Sequence, residues 1–289
     1  MDITYQSLPG YRPLKLDLYR STSTKPNRPI VIFVHGGRWL AGSPRMSSPV
    51  FGDMDKVLAR LAKRGYVVAG VSYRLSAEAH FPAAVDDVQA AIRWLRANSS
   101  KFGSDPARVA LWGESAGAYI AIMAALSCRL DSRENATGHP LGSSCVQSVV
   151  DWYGPTDFGS LDAQALAGSR IKHDAADSPE STFLGCALSE CAPALLRQAA
   201  ALGYVTSHAP PFLIMHGEAD TAISPEQSRS LYAALTSAGA SAKLDLVPGV
   251  NHGFAGATPK QAQEILSTVF AYLDATLGIK RPETQGSNE

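Results

Sequence analysis

Apolar and amphipathic runs alternate along most of this chain, each about the length of one strand or one helix. Ile30-Val31-Ile32-Phe33-Val34-His35 is a continuous β-branched and aromatic run, the pattern of a strand buried on both faces. Similar runs fall at 66–73, 109–112, 146–153, 212–216 and 243–247. Between them lie stretches with apolar residues at three- and four-residue spacing: 54–64, 82–95, 118–126, 225–238 and 259–277. Residues 14–19 alternate apolar and polar and predict an edge strand of an antiparallel start. Strand and helix patterns in turn predict an α/β fold, a mostly parallel central sheet flanked by helices on both faces. The segment 154–210 breaks the rhythm and is expected to be an insertion near the top of the sheet, either a cap or a loop over a site. Residues 1–280 thus read as one domain, followed by a polar, flexible tail at 281–289.

One junction in this pattern carries chemistry. Gly113-Glu114-Ser115-Ala116-Gly117 joins the strand at 109–112 to the small-residue helix at 118–126. Strand, G-x-S-x-G, helix is the setting of a nucleophile elbow. The serine there sits on a sharp turn with its hydroxyl above the sheet. Its neighbours must be small because strand and helix backbones crowd the turn. Glu114 is expected to turn away from the reacting centre into a buried polar network.

An acyl-transferring serine needs a base, an acid that orients the base, and donors for an oxyanion. In this kind of sheet they belong on loops at the carboxyl ends of later strands, in the order Ser, Asp or Glu, His. Asp220 follows the strand at 212–216, with Glu218 as the competing acid, and His252 follows the strand at 243–247. For the oxyanion, the N–H of Ala116 is one source. The loop His35-Gly36-Gly37-Arg38-Trp39 is the other, with Gly37 foremost and Gly36 or Arg38 beside it. Trp39, Trp152 and Tyr153 are expected as walls for an acyl or aryl group. His35 and His216 end strands and are expected to pack and hydrogen-bond loops. His80, His139, His173 and His208 have no context that favours catalysis.

Composition narrows the picture by exclusion. The 289 residues are 45% hydrophobic, with 26 basic and 26 acidic residues and no net charge. Neither nucleic acid nor an anionic membrane has a charge footprint to bind. No apolar run reaches membrane-spanning length. The N-terminus lacks the basic-then-apolar order of a secretory signal, so a cytoplasmic protein is expected; a mature secreted or periplasmic form would read the same. No Cys/His set has zinc spacing, and no phosphate loop or dinucleotide fingerprint appears, so no metal and no cofactor is expected. Cys186 and Cys191 share a short Gly/Ala/Pro loop that an oxidising compartment would let them close as a disulfide. Cys128 and Cys145 read as free, buried thiols.

His35-Gly36-Gly37-Arg38-Trp39, Ser72-Tyr73-Arg74-Leu75, Phe81-Pro82-Ala83-Ala84, Gly113-Glu114-Ser115-Ala116-Gly117 and Gly249-Val250-Asn251-His252-Gly253 together resemble the α/β-hydrolase superfamily. More narrowly they resemble its bacterial carboxylesterase, feruloyl and acetyl-xylan esterase branch, related to the hormone-sensitive-lipase-like esterases. The likeness runs from about residue 14 to residue 277. Arg38 stands where many members carry a third glycine, a change that keeps the backbone N–H. The resemblance implies a serine carboxylesterase with a small cap and an open site, acting on small-molecule esters with short acyl, acetyl or hydroxycinnamoyl groups. The same H-G-G-x-W form resembles kynurenine formamidases, so an amide hydrolase is the second expectation. A non-catalytic ligand-binding protein on the same scaffold is the remote one.

Overall fold

The computed structural model describes residues 2–22, 26–130 and 142–279. The tail 281–289 and His139 lie outside these residues. Eight strands form the central sheet: β1 (Asp2–Gln6), β2 (Leu14–Arg20), β3 (Arg28–Val34), β4 (Val67–Val71), β5 (Ser104–Glu114), β6 (Ser148–Trp152), β7 (Phe212–Gly217) and β8 (Ala242–Val247). Their order is β1-β2-β4-β3-β5-β6-β7-β8. β2 runs antiparallel to both β1 and β4, and every pairing from β4 to β8 is parallel. The mostly parallel sheet covered on both faces is as the sequence pattern predicts. β1 is an addition to it.

The alternation along β3 shows why the helices sit on both faces. Ile30, Ile32 and Val34 point into one core, and Val31 and Phe33 into the other. Helices α2 (Ala83–Ala97), α3 (Ala116–Leu126) and α6 (Glu226–Ser237) cover the first face. Helices α1 (Met54–Lys63) and α7 (Pro259–Thr276) cover the second. From Ala116 to Ala125 α3 is buried on every side, which suits its Ala- and Ile-rich sequence, with no polar face to leave in water.

β4 lies on one side of β3 and β5 on the other, so the chain direction across the sheet reverses at β3. Such a switch point opens a crevice outside the carboxyl ends of the strands. The loops after β3, β5, β7 and β8 all meet there, carrying respectively residues 36–39, Ser115, Asp220 and His252.

Residues 154–210 run between β6 and β7. They hold α4 (Pro179–Leu184), α5 (Pro193–Ala199) and two short 3₁₀ turns. Gln227 of α6 fastens the start of this segment: its Oε1 accepts from the N–H groups of Thr156 and Asp157 at 2.7 and 2.9 Å. Its Nε2 donates to Ser160 Oγ and Gln164 Oε1. Further along, the Phe81 N–H donates to Phe183 O at 2.8 Å, and the Tyr119 hydroxyl to Ala199 O at 2.8 Å.

The cysteines correct one expectation. Cys128 and Cys145 are not free thiols; they are bonded to each other, with Cα atoms 5.0 Å apart. Cys128 lies just past the end of α3 and Cys145 just before β6, and these two elements pack against each other. Cys186 and Cys191 are also bridged, with Cα atoms 5.3 Å apart.

β6 carries an acid that water does not reach. Asp151 Oδ1 accepts the Gly154 N–H at 2.9 Å, while Oδ2 has no partner among the described residues. Burial pushes its carboxyl up to about 7, against the pull of that N–H. The folded state therefore holds this proton more tightly than the unfolded chain. Its stabilising contribution is complete below about pH 3.8 and is lost as pH rises to about 7. Asp151→Asn mimics the protonated acid. We expect it to be more stable than the wild type at pH 8 by an amount on the order of 4 kcal/mol or less, with the gain vanishing near pH 4. Urea unfolding midpoints at the two pH values measure this; an equal difference at both would refute it.

Candidate active site

Ser115 follows the last residue of β5 and stands immediately before α3. Its φ of 51° and ψ of −122° lie where a residue with a side chain is strained, typically by about 1–3 kcal/mol. Its backbone is held from both sides: the Ser115 N–H donates to Trp152 O at 2.9 Å, and Ser115 O accepts from Tyr119 N–H at 3.1 Å. The flanking glycines are a packing requirement. A Cβ on Gly113 would stand 2.5 Å from Ala118 Cα, and one on Gly117 would stand 2.2 Å from Val34 O.

The structure brings Ser115, His252 and Asp220 into one line. Ser115 Oγ lies 2.9 Å from His252 Nε2, and His252 Nδ1 lies 2.8 Å from Asp220 Oδ2. Glu218, the competing acid, is exposed and outside this line. Asp220 Oδ1 accepts the N–H groups of Ala222 and Ile223 at 2.8 and 2.9 Å. A second imidazole reaches the other oxygen: His216 Nε2 lies 3.1 Å from Asp220 Oδ2. Burial alone would raise the Asp220 carboxyl. The hydrogen bonds from His216 and His252 outweigh it and hold the group well below the usual carboxylate range.

Asn251 ties the Asp220 loop to the His252 loop. Its Oδ1 accepts from the N–H of Thr221 at 3.0 Å and from the N–H of His252 at 2.7 Å. Gln261 pins the other side of the His252 loop. It completes a capping box with Thr258 at the start of α7, and its Nε2 donates to Pro248 O at 3.1 Å.

The loop after β3 turns through three successive left-handed residues: Gly37 (φ 111°), Arg38 (φ 59°) and Trp39 (φ 57°). Gly37 has no substitute here, since a Cβ would stand 2.0 Å from Ala41 O. Behind the turn, His35 stacks on Tyr73 with ring centres 4.5 Å apart, and the Tyr73 hydroxyl donates to His35 O at 2.9 Å. Burial pushes the His35 imidazole down to about 4, so it is neutral at pH 7, with Nδ1 2.7 Å from Gly36 O.

Gly36 leaves the expected set of oxyanion donors. Its N–H already donates to Glu114 Oε1 at 3.2 Å. Gly37, Arg38 and Ala116 remain, and no acceptor among the described residues takes their N–H groups. Glu114 therefore supports the loop, and its Oε2 accepts from the Tyr153 hydroxyl at 3.3 Å. Desolvation raises its carboxyl, and these two donors oppose the rise.

A cavity of about 320 Å³ opens beside Ser115. Arg38, Trp39, Ala116 and His252 line it, as does Ile223. Trp39 is only 2% exposed and also stacks on Phe183 at 4.7 Å. The other two expected aromatic walls are elsewhere. Trp152 is fully buried among Trp112, Phe51 and Phe254 in the core under α1 and α7, because it shares the face of Val150 on β6. Tyr153 lies under His252, with the two ring centres 4.9 Å apart.

The remaining wall comes from 154–210 and had no local signal. Pro155, Ile171, His173, Pro179 and Glu180 line the cavity. His173 Nδ1 and Glu180 Oε1 lie 3.0 Å apart and buried, an ion pair when the imidazole is protonated, and His173 Nε2 lies 3.0 Å from Ala222 O. Burial disfavours the His173 charge, but Glu180 outweighs it and holds the imidazole above its ordinary range. Among the described residues no cluster of His, Cys, Asp or Glu is arranged to hold a metal ion.

The sequence profile of the BD-FAE family matches residues 16–235. The chain belongs to the BD-FAE family. Among curated relatives, esterase LipQ of Mycobacterium tuberculosis is 29% identical, over 99% of this chain and 64% of LipQ. Esterase LipC of the same organism is 34% identical, over 83% of this chain and 56% of LipC. The chain thus spans less than two thirds of the length of either relative. Among solved structures, a truncated carbohydrate esterase from gut microbiota superposes with a TM-score of 0.77 at 26% identity, over 95% of both chains. The BD-FAE match covers Ser115 and Asp220 but ends within α6, so His252 lies outside the matched range. Its place beside Ser115 rests on the geometry alone.

Proposed function

We propose that this protein is a serine carboxylesterase, with Ser115 as nucleophile, His252 as general base and then acid, and Asp220 as the residue that orients the imidazole. The observation that carries this reading is the hydrogen-bonded line Ser115–His252–Asp220 opening onto a cavity beside free backbone donors. Nε2 faces Ser115 Oγ and can take its proton, while Nδ1–H donates to the carboxylate. Attack on an ester carbonyl puts negative charge on its oxygen, and the N–H groups of Gly37, Arg38 and Ala116 are the donors to receive it. Collapse expels the alcohol, which takes its proton from His252. Water, activated by the same imidazole, then releases the acid from Ser115.

A cavity of about 320 Å³ is at the small end for ligand sites. With Trp39 and Ile223 in its wall it suits an acetyl, propionyl or butyryl group, or a single aryl ring. The segment 154–210 acts as a small cap, since it supplies one wall without enclosing the site. Kinetics on acetyl, butyryl, feruloyl and N-formyl substrates test the reading. We expect turnover of the short-chain esters, with kcat/KM falling by tenfold or more for long acyl chains. Turnover of N-formylkynurenine alone would overturn the ester assignment.

Among the described residues no helix is long and apolar enough to cross a membrane. The disulfides Cys128–Cys145 and Cys186–Cys191 favour an oxidising compartment over a cytoplasmic one. Thiol titration of protein from its native source should find no free thiol before reduction and four after. Free thiols beforehand would argue for a reducing compartment.

A further inference from the structure

His216 is fully buried at the end of β7 and is outside the Ser115–His252–Asp220 line, yet it shares that line's acid. Its Nε2 faces two acceptors, Asp220 Oδ2 at 3.1 Å and Ile223 O at 2.9 Å. In the neutral imidazole the proton therefore sits on Nε2. Nδ1 lies 2.7 Å from Ser228 Oγ and accepts from its hydroxyl. Ser228, at the first turn of α6, thereby selects the tautomer that donates to the acid. Ser228, His216 and Asp220 are all completely buried, so no water competes for these bonds. Asp220 Oδ2 is thus a single oxygen bonded by two imidazoles.

We propose that His216 is a positioning residue for acyl transfer, acting through Asp220: its Nε2–H fixes Oδ2 in place and draws off part of the negative charge that would otherwise fall on His252. A carboxylate with one donor fewer binds the remaining N–H more strongly and favours the imidazolium of His252. Removing the His216 donor therefore raises the pH at which His252 becomes a free base. Other ionisable groups surround the relay and stay constant across the comparison. Glu114 and Tyr153 face His252 from the ends of β5 and β6. Asp151 acts on Tyr153 from β6, and the His173–Glu180 pair touches the Asp220 loop at Ala222 O. This inference rests on the serine-hydrolase reading.

The test compares wild type, His216→Phe, His216→Gln and Ser228→Ala. Two readouts are followed against pH: kcat/KM for p-nitrophenyl butyrate, and the rate of Ser115 labelling by a fluorophosphonate. Active-site titration normalises each to folded enzyme. For His216→Phe we expect a drop of about tenfold and an acid limb displaced upward by roughly half to one pH unit in both readouts. His216→Gln, whose amide can place a donor near Nε2, should recover most of both losses. Ser228→Ala, which keeps the imidazole but frees its tautomer, should move the limb in the same direction by less. If His216→Phe and Ser228→Ala both keep the wild-type limb per active site, the proposal is overturned. If the wild type labels with fluorophosphonate but turns over no ester, the esterase reading fails while the labelling profile still decides the role of His216.

Discussion

Ser115→Ala is expected to lower kcat toward p-nitrophenyl acetate by about 10⁶-fold while leaving the fold intact. The substitution removes Oγ alone. Alanine keeps the Cβ and so inherits the same strained backbone, held by the bonds to Trp152 O and from Tyr119 N–H. His252 loses one partner, but its side chain is 29% exposed, and water can take the vacated position. What survives is the proposed donor set of Gly37, Arg38 and Ala116 with the cavity, which by itself is expected to leave roughly 10³-fold catalysis over water. Thermal unfolding should coincide with the wild type within a few degrees. A variant keeping more than about 1% of wild-type turnover would remove Ser115 from the role of nucleophile.

The second large effect is expected at the acid. Asp220→Asn is nearly isosteric, so its consequence is one of hydrogen polarity. The N–H groups of Ala222 and Ile223 hold Oδ1 as an acceptor, so the amide oxygen must take that side. The amide NH₂ then replaces Oδ2 and confronts both His252 Nδ1 and His216 Nε2. Donor would face donor. His252 relieves the conflict by moving its proton to Nε2, where it points at Ser115 and the ring no longer serves as a base. A loss of about 10⁴-fold in kcat follows, with KM little changed. Glu218→Gln, two residues away and exposed, should leave kinetics unaltered. Equal losses at the two positions, or a loss below tenfold in Asp220→Asn, would contradict the assignment.

The parts of this molecule that were readable in sequence are those whose cause is local. A continuous apolar run such as 30–35 has no other use in a chain of this kind than a strand buried twice. The elbow is legible because Gly113 and Gly117 are demanded by contacts within a few residues or with the adjacent strand. Asp220 and His252 were reachable because each follows a strand directly. What escaped reading depends on contacts distant in the chain. Cys128 and Cys145 meet because α3 packs against β6. His173 and Glu180 reach the cavity from a segment whose path is set by Gln227, more than forty residues further on. Gly36 was expected beside Gly37 as a second oxyanion donor; the Glu114 carboxylate that occupies its N–H is 78 residues away. Trp152 is a different case. Counting by twos from Val150 along β6 places it on the far core, and strand alternation alone would have withdrawn it from the cleft. β1 escaped although Asp2–Gln6 alternates polar and apolar residues, because five residues with only two apolar positions are too short a run to stand out.

Asn251 gives the site a property that its list of residues does not convey. Because one carboxamide oxygen receives N–H groups from both the Asp220 and the His252 loops, two segments thirty residues apart behave as a single mechanical part. Recombination between homologues should respect that unit. A chimaera that exchanges 217–224 and 248–258 together keeps the Asn251 bonds between the two loops matched, whereas exchanging either alone pairs loops that evolved against different partners. The natural crossover boundary for engineering this scaffold therefore runs around both loops at once, with β8 and α6 left in place.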